Sequence, residues 1–160
     1  RLRAIALSTE LSSQAELLLM AAARSQHVAE VIVPALRLGR WVVCDRFIDS
    51  TVAYQGFGLG LGIQDIFSVC KIATAGAPEP NLTLWLDADR CTILERLGDR
   101  NLDAIESRSP EYWENVRRGF GWLAATNPHR ICRVDASGDE QAIAAQIRDI
   151  IRSRELLHEK

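Results

Sequence analysis

One stretch decides the fold of this chain: Trp41-Val-Val-Cys-Asp45-Arg46-Phe-Ile-Asp-Ser50-Thr51-Val-Ala-Tyr54-Gln55. Its apolar opening is typical of a short strand buried on both faces of a parallel sheet. The pair Asp45-Arg46 follows where such a strand would leave the sheet, and open α/β sheets bind ligands outside those strand ends. We therefore predict a strand over 41–45 with a ligand site at its end. The alternative is a surface ion pair between the two charges.

The rest of the chain alternates helical with strand patterns. A long helix is predicted to open at the capping box Ser13-Gln-Ala-Glu16, to kink at Pro34 and to end at Gly39. Further helices are predicted over 1–8, 49–56, 63–75, 89–97, 110–125 and 139–153, with strands over 82–86 and 131–134. Such alternation predicts an α/β fold, a parallel sheet flanked by helices.

Composition limits the classes of protein that fit. A chain of 160 residues suits one domain, which we place over 1–160. A net charge of −2 gives no electrostatic footprint for nucleic acid, and no apolar run is long enough to span a bilayer. The four cysteines are widely spaced without a C-x-x-C pair, which predicts reduced thiols in a cytoplasmic protein rather than a zinc site. The chain starts at Arg1 and its one methionine is Met20, so we expect that residues preceding it are missing.

Three further patterns leave their roles open. Arg24 lies in the apolar part of the long helix, where it either snorkels at the edge of the core or donates to a planar acceptor such as a nucleobase or carboxylate. The segment with Arg96, Arg100 and Arg108 is either a solvated surface or a mobile lid carrying arginines to a phosphoryl group. The glycines of 56–62 do not match a dinucleotide fingerprint, and they indicate a pliable loop or backbone contacts to phosphate or sugar.

Together these residues resemble the thymidylate kinase family, nucleoside monophosphate kinases that convert dTMP to dTDP. The segment 45–55 is similar to the family signature D-R-[YFH]-x-x-S-x-x-A-Y-Q. Supporting matches are Ala-Ala-Arg24-x-Gln-His-Val, Leu82-Thr-Leu-Trp-Leu-Asp87 and Val134-Asp-Ala-Ser137. The resemblance implies a P-loop-type nucleoside monophosphate kinase fold whose N-terminal β-P-loop-α unit is absent from this chain.

The resemblance implies a role for each matched residue on the acceptor side. Asp45 would hold Mg²⁺ or its water shell, and Arg46 would bind the acceptor phosphate. Arg24 would donate to thymine O4, Gln55 would bond the base edge, and Tyr54 would pack against the deoxyribose C2′. The remaining residues would line the pocket, and they are Met20, Ser50 and Thr51.

On the donor side the resemblance implies an ATP site and a lid over 96–110. Arg96 and Arg100 would act in catalysis from that lid. The adenine side would be lined by Arg96, Asp135, Ala136 and Ser137. The implied cofactor is Mg²⁺ with ATP as co-substrate, and the implied assembly is a homodimer. Composition predicts neither nucleic acid nor a membrane as a partner.

The chain departs from the family pattern at four places. Met20 stands where an aromatic usually stacks on thymine, and Leu59 where bacterial members often have arginine. Ala104 replaces the lid arginine of L-D-R-I-E, which leaves Arg100 or Arg108 to take over that charge. No G-x-x-x-x-G-K-[ST] occurs, so we expect the 160 residues by themselves to lack kinase activity.

Two other classes of function stay open at this stage. One is a deoxynucleoside kinase or another monophosphate kinase, which would share the fold and an acid–arginine motif. The other is a non-catalytic module that binds nucleotide or dimerises without transferring phosphate.

Overall fold

A computed structural model describes residues 11–98 and 103–154, so the predicted helix over 1–8 lies outside the described residues. Contacts gather the chain into two compact units, one of residues 11–79 and 103–122 and one of residues 80–98 and 123–154. One domain over 1–160 stays a prediction. The elements in chain order are α1 (Ser13–His27), a π-helical segment (Val28–Ile32), α2 (Val33–Arg37), α3 (Ile48–Thr51), a second π-helical segment (Val52–Gly58), α4 (Ile63–Ala73), β1 (Thr83–Asp87), α5 (Arg90–Leu97), α6 (Pro110–Thr126), β2 (Ile131–Asp135) and α7 (Glu140–Ser153).

The first unit begins with the predicted long helix, whose cap differs from the prediction. The Oγ of Ser12 accepts from the Ala15 amide at 3.3 Å, so the helix starts one residue away from the predicted capping box. Glu16 does not reach back to the helix end because its carboxylate is buried against other partners. The π-helical segment Val28–Ile32 ends two residues before Pro34, which has no backbone N–H to donate. The kink at Pro34 stays a prediction.

The predicted strand over 41–45 was wrong. Trp41–Cys44 has no regular secondary structure, and Val43 is 95% exposed. A strand exists only through hydrogen bonds to a neighbouring strand, and among the described residues no strand pairs with this segment. A short apolar run therefore did not suffice to specify a strand here.

The core of the first unit forms where the second π-helical segment meets α6. Ala53, Tyr112 and Val116 are buried together with Ile105. Gly119 allows the two backbones to approach closely, because a Cβ built on it would lie 2.9 Å from the Ala53 Cα. This packing fixes the helix that carries the predicted signature.

The second unit holds a two-stranded parallel sheet. β1 pairs with β2 in register from Thr83 opposite Ile131 to Asp87 opposite Asp135, which confirms parallel strands at both predicted places. Helices α5 and α7 are capped by Asp89 and Asp139, whose carboxylates each accept a backbone N–H at 2.8 Å. No described helix combines the length and apolarity needed to cross a bilayer.

Candidate functional site

The first unit contains a cleft of about 320 Å³. Helix α1, the turn after Cys44, the helix that follows it and residues 103–113 supply its walls. All the residues expected on the acceptor side line this one cleft, namely Met20, Arg24, Asp45, Arg46, Ser50, Thr51, Tyr54 and Gln55. The structure thus brings together side chains from two separate stretches of sequence.

Arg46 forms the cationic part of the cleft. Its φ is +68°, the left-handed region that a non-glycine residue occupies only when its surroundings hold it there. The guanidinium carbon lies 4.7 Å from the centroid of the Tyr54 ring. Burial lowers the pKa of Arg46, but Tyr54, Asp45 and Asp103 outweigh burial and leave that pKa above its usual value. Arg46 is therefore a fixed permanent cation, suited to a phosphate.

Tyr54 is held rigidly by aromatic neighbours. Its ring makes edge-to-face contacts with Tyr112, Trp113 and Phe120 at centroid distances of 6.4, 5.7 and 6.2 Å. Such pairs each contribute roughly 0.5–1.5 kcal/mol beyond area burial. The ring forms a stiff wall of the cleft beside Arg46.

Arg24 approaches the cleft from α1. Its guanidinium donates to the Phe47 carbonyl at 3.0 Å and lies 5.6 Å from the Phe47 ring centroid. No carboxylate lies within ion-pair distance of it among residues 11–98 and 103–154, and burial lowers its pKa. A guanidinium carries five N–H donors, so most of them remain for a ligand. The placement favours a planar acceptor over a snorkelling arginine.

A buried polar network supports the other side of the cleft. Glu16, 2% exposed, accepts from the Gln55 Nε2 at 2.8 Å and forms an ion pair with Arg108. Arg108 also donates to the Tyr112 hydroxyl at 2.9 Å, and its guanidinium lies over that ring. The charge of Arg108 is thus matched inside the first unit.

The second unit carries the residues expected on the ATP side. Arg96 lies in α5 and donates to the carbonyls of Ala136 at 2.7 Å, Ser137 at 3.3 Å and Gly138 at 2.6 Å. The hydroxyl and amide of Ser137 both bond the Asp135 carboxylate, and these bonds lower the pKa of Asp135. A shallow cleft of about 300 Å³ adjoins Arg96 and the start of α7. The predicted catalytic residue Arg100 lies outside the described residues.

Sequence reasoning did not assign every residue of the first cleft and its support. Glu16 had been interpreted as part of a cap, although an acid between Ala15 and Leu17 in an apolar run was a signal for a buried partner. Trp113 and Ile105 also line the cleft, beside Met20. Trp113 lies in α6 and Ile105 in the segment before it, and only the fold brings them to this cleft.

Comparison with known proteins gives a consistent result. The thymidylate kinase family model matches residues 1–147. A thymidylate kinase of Psychrobacter sp. (strain PRwf-1) is 44% identical over 142 residues, which are 87% of this chain and 68% of that relative. A thymidylate kinase of Synechococcus sp. (strain JA-3-3Ab) is 47% identical over 146 residues, 90% of this chain and 69% of the relative.

A solved structure agrees with these relatives. The crystal structure of thymidylate kinase from Ehrlichia chaffeensis matches with a TM-score of 0.71 at 29% identity, covering 90% of this chain and 67% of that one. The family model spans nearly the whole sequence, and the structural match extends the agreement to the α/β fold. This chain belongs to the thymidylate kinase family.

Proposed function

We propose that the cleft of the first unit binds dTMP as the acceptor in a Mg²⁺-dependent transfer of the ATP γ-phosphoryl group, which gives dTDP. The observation that carries this proposal is that the cleft has a cationic end and a separate hydrogen-bonding end. Arg46 provides a fixed cation beside the Tyr54 wall, while Arg24 and Gln55 provide hydrogen-bonding groups for a base. A nucleoside monophosphate has this same order of phosphate, sugar and base.

The acceptor phosphate is assigned to Arg46. Phosphoryl transfer depends on positioning and on charge neutralisation more than on covalent chemistry. A guanidinium fixed over an aromatic ring holds a phosphate in one orientation with little loss of side-chain entropy. Arg46 therefore orients the acceptor oxygen and offsets the charge of the phosphate.

The base is assigned to Arg24 and Gln55. Arg24 offers N–H donors to a carbonyl such as O4, and the Gln55 amide meets the base edge. Met20 and Trp113 provide apolar surface in the same cleft. Tyr54 packs against the sugar and leaves little room for a 2′-hydroxyl.

The residues present fit a magnesium ion held mainly by substrate. Among the described residues no group of three His, Cys, Asp or Glu side chains could hold a metal. Asp45 is an exposed carboxylate in the cleft, and Mg²⁺ in such sites takes one or two carboxylates together with phosphate oxygens and water. A bound ion would neutralise charge on the phosphates, and Asp45 would orient it.

The ATP side is assigned to the second unit. Arg96 fixes the loop that follows Asp135 through the backbone carbonyls of residues 136–138, which preorganises that loop for the adenine end of ATP. A direct catalytic part for Arg96 and Arg100, and the lid over 96–110, remain parts of this proposal.

A homodimer is also part of the proposal. Large apolar side chains are exposed along the first helical run, with Leu18 at 59%, Val31 at 50% and Leu38 at 67%. Association with a second copy would remove these side chains from water. Size-exclusion chromatography with light scattering tests it, because Leu18→Glu with Val31→Glu should convert a dimer to a monomer. A monomeric parent chain would contradict it.

A cytoplasmic location is also part of the proposal, because the four cysteines are free thiols.

Titration calorimetry with candidate acceptors tests the proposed function. We expect the chain to bind dTMP more tightly than dUMP, dCMP or thymidine. Preference for thymidine would instead favour a nucleoside kinase. Absence of binding by every nucleotide would overturn the proposal.

A further inference from the structure

The carboxylate of Glu16 determines which end of the Gln55 side chain can face a ligand. An ionised carboxylate only accepts hydrogen bonds, so the group 2.8 Å from it must be the amide nitrogen of Gln55. Gln55 is 4% exposed and still lines the cleft. In the described part of the chain, its amide oxygen receives no hydrogen bond, so that oxygen is the group left for a ligand.

Arg108 fixes the carboxylate in turn. The Arg108 Nη1 donates to the Glu16 Oε1 at 3.4 Å, and the Arg108 Nη2 donates to the Glu16 Oε2. The guanidinium also packs over the Tyr112 ring. A buried carboxylate without a cation would be costly, so the pair keeps Glu16 an acceptor within the folded chain. Glu16 itself has no place among the residues that line the cleft.

We infer that Glu16, held by Arg108, is a positioning residue that makes the base end of the cleft select 4-oxo over 4-amino pyrimidines. The inference rests on the proposed function. With its nitrogen held by Glu16, Gln55 presents an acceptor, which matches a ring N3–H. Arg24 presents donors, which match O4. A cytosine ring has an acceptor at N3 and a donor at N4, so both contacts are mismatched.

The variant Glu16→Gln tests this inference directly, because it should reverse the orientation of the Gln55 amide. In that variant Arg108 still donates to the side-chain oxygen at position 16, so the new amide nitrogen is left to face Gln55. The Gln55 oxygen then turns toward it and the Gln55 nitrogen turns toward the ligand. A donor at that place suits cytosine.

The test measures calorimetric affinity for two nucleotides that differ only at the ring edge, dTMP and 5-methyl-dCMP. We expect Glu16→Gln to lower the dTMP preference by about tenfold or more. Such a ratio is expected from exchanging one matched buried polar contact for an unmatched one. In a Gln55→Met background, Glu16→Gln should leave the ratio unchanged, because Glu16 acts through Gln55.

A matched control is available on the surface. Gln26 donates to Glu30 in an exposed pair of the same chemistry, so Glu30→Gln should not change the preference. Equal weakening of both nucleotides by Glu16→Gln would overturn the inference and leave the proposed function intact. A wild-type chain that binds neither nucleotide would overturn the proposed function itself.

A second measurement covers the case in which Glu16→Gln does not fold. In the wild-type chain with dTMP, proton NMR should show contacts from the Gln55 amide protons to the Glu16 methylene protons. Contacts from those amide protons to the base instead would overturn the inference.

Discussion

The guanidinium carbon of Arg46 lies 4.7 Å from the centroid of the Tyr54 ring, and both residues belong to the same predicted signature. The two residues are eight positions apart, and the helical segments between them bring the side chains together. This contact fixes an otherwise flexible cation at a defined distance from the Tyr54 ring. The proposed phosphate site therefore depends on both residues.

Replacing Arg46 should affect only ligands that carry a phosphate. Arg46→Met removes charge-assisted hydrogen bonds that are worth about 1.5–3 kcal/mol, so dTMP affinity should fall by roughly tenfold or more. Thymidine affinity should stay the same. Arg118→Met, on an exposed arginine bonded to Asn115, is the control. Equal loss for dTMP and thymidine would contradict the assignment.

Replacing Tyr54 should relax discrimination at the sugar. Tyr54→Leu removes the ring that packs where a ribose hydroxyl would lie, so the preference for dTMP over ribothymidine monophosphate should decrease. Trp122→Leu removes an aromatic residue that contacts Phe57 and does not line the cleft, and it should leave the preference unchanged. Calorimetry with both nucleotides measures this ratio. An unchanged ratio in Tyr54→Leu would show that another group excludes the ribose.

Tyr112 should titrate unusually late. Burial raises its pKa to about 12, against about 10 in an unfolded chain. Between these values the unfolded state loses its proton first, so this contribution to stability is complete below pH 10 and is lost as the pH rises toward 12. The sequence has two tyrosines, so in Tyr54→Phe the tyrosinate absorbance reports Tyr112 alone. A midpoint near 10 in the folded variant would contradict the burial; the urea-denatured chain is the reference.

Gly119 should not tolerate a side chain. A Cβ there would lie 2.9 Å from the Ala53 Cα and 3.0 Å from the Phe57 side chain, so Gly119→Ala should cost about 1–3 kcal/mol of unfolding free energy. Gly138→Ala is the control, because its Cβ would meet the Ala142 Cβ at an ordinary 3.5 Å. Urea unfolding compares the two variants. Equal stability of both would show that the helix contact can relax.

Inactivity of the 160-residue chain stays a prediction. It follows from the absence of G-x-x-x-x-G-K-[ST] in this sequence, whose backbone and lysine would hold the phosphates of ATP. A coupled assay of ADP release with ATP, Mg²⁺ and dTMP tests it. Robust turnover would refute it.

The sequence predicted those elements whose pattern is local. The strands at 83–87 and 131–135 combine apolar runs with a partner in register, so their prediction was confirmed. The apolar run at 41–45 has no pairing partner in the parts of the chain that the structure describes, and periodicity alone could not reveal that. Strand formation depends on the neighbour as much as on the residues themselves.

The clustering of the candidate site residues was predictable where one short window of sequence carries them. The signature from Asp45 to Gln55 predicted from sequence alone that its polar side chains lie together, and they line one cleft. Glu16 and Arg108 are 92 positions apart, and only tertiary packing reveals their pairing. The supporting residues were therefore hidden, although the residues expected to contact the ligand were visible.

A crystal structure of this chain with dTMP tests the central claim most directly. We predict the phosphate within hydrogen-bond distance of the Arg46 guanidinium, the sugar against the Tyr54 ring and the base edge at Arg24 and Gln55. A nucleotide bound in the reverse orientation, or outside this cleft, would contradict the account.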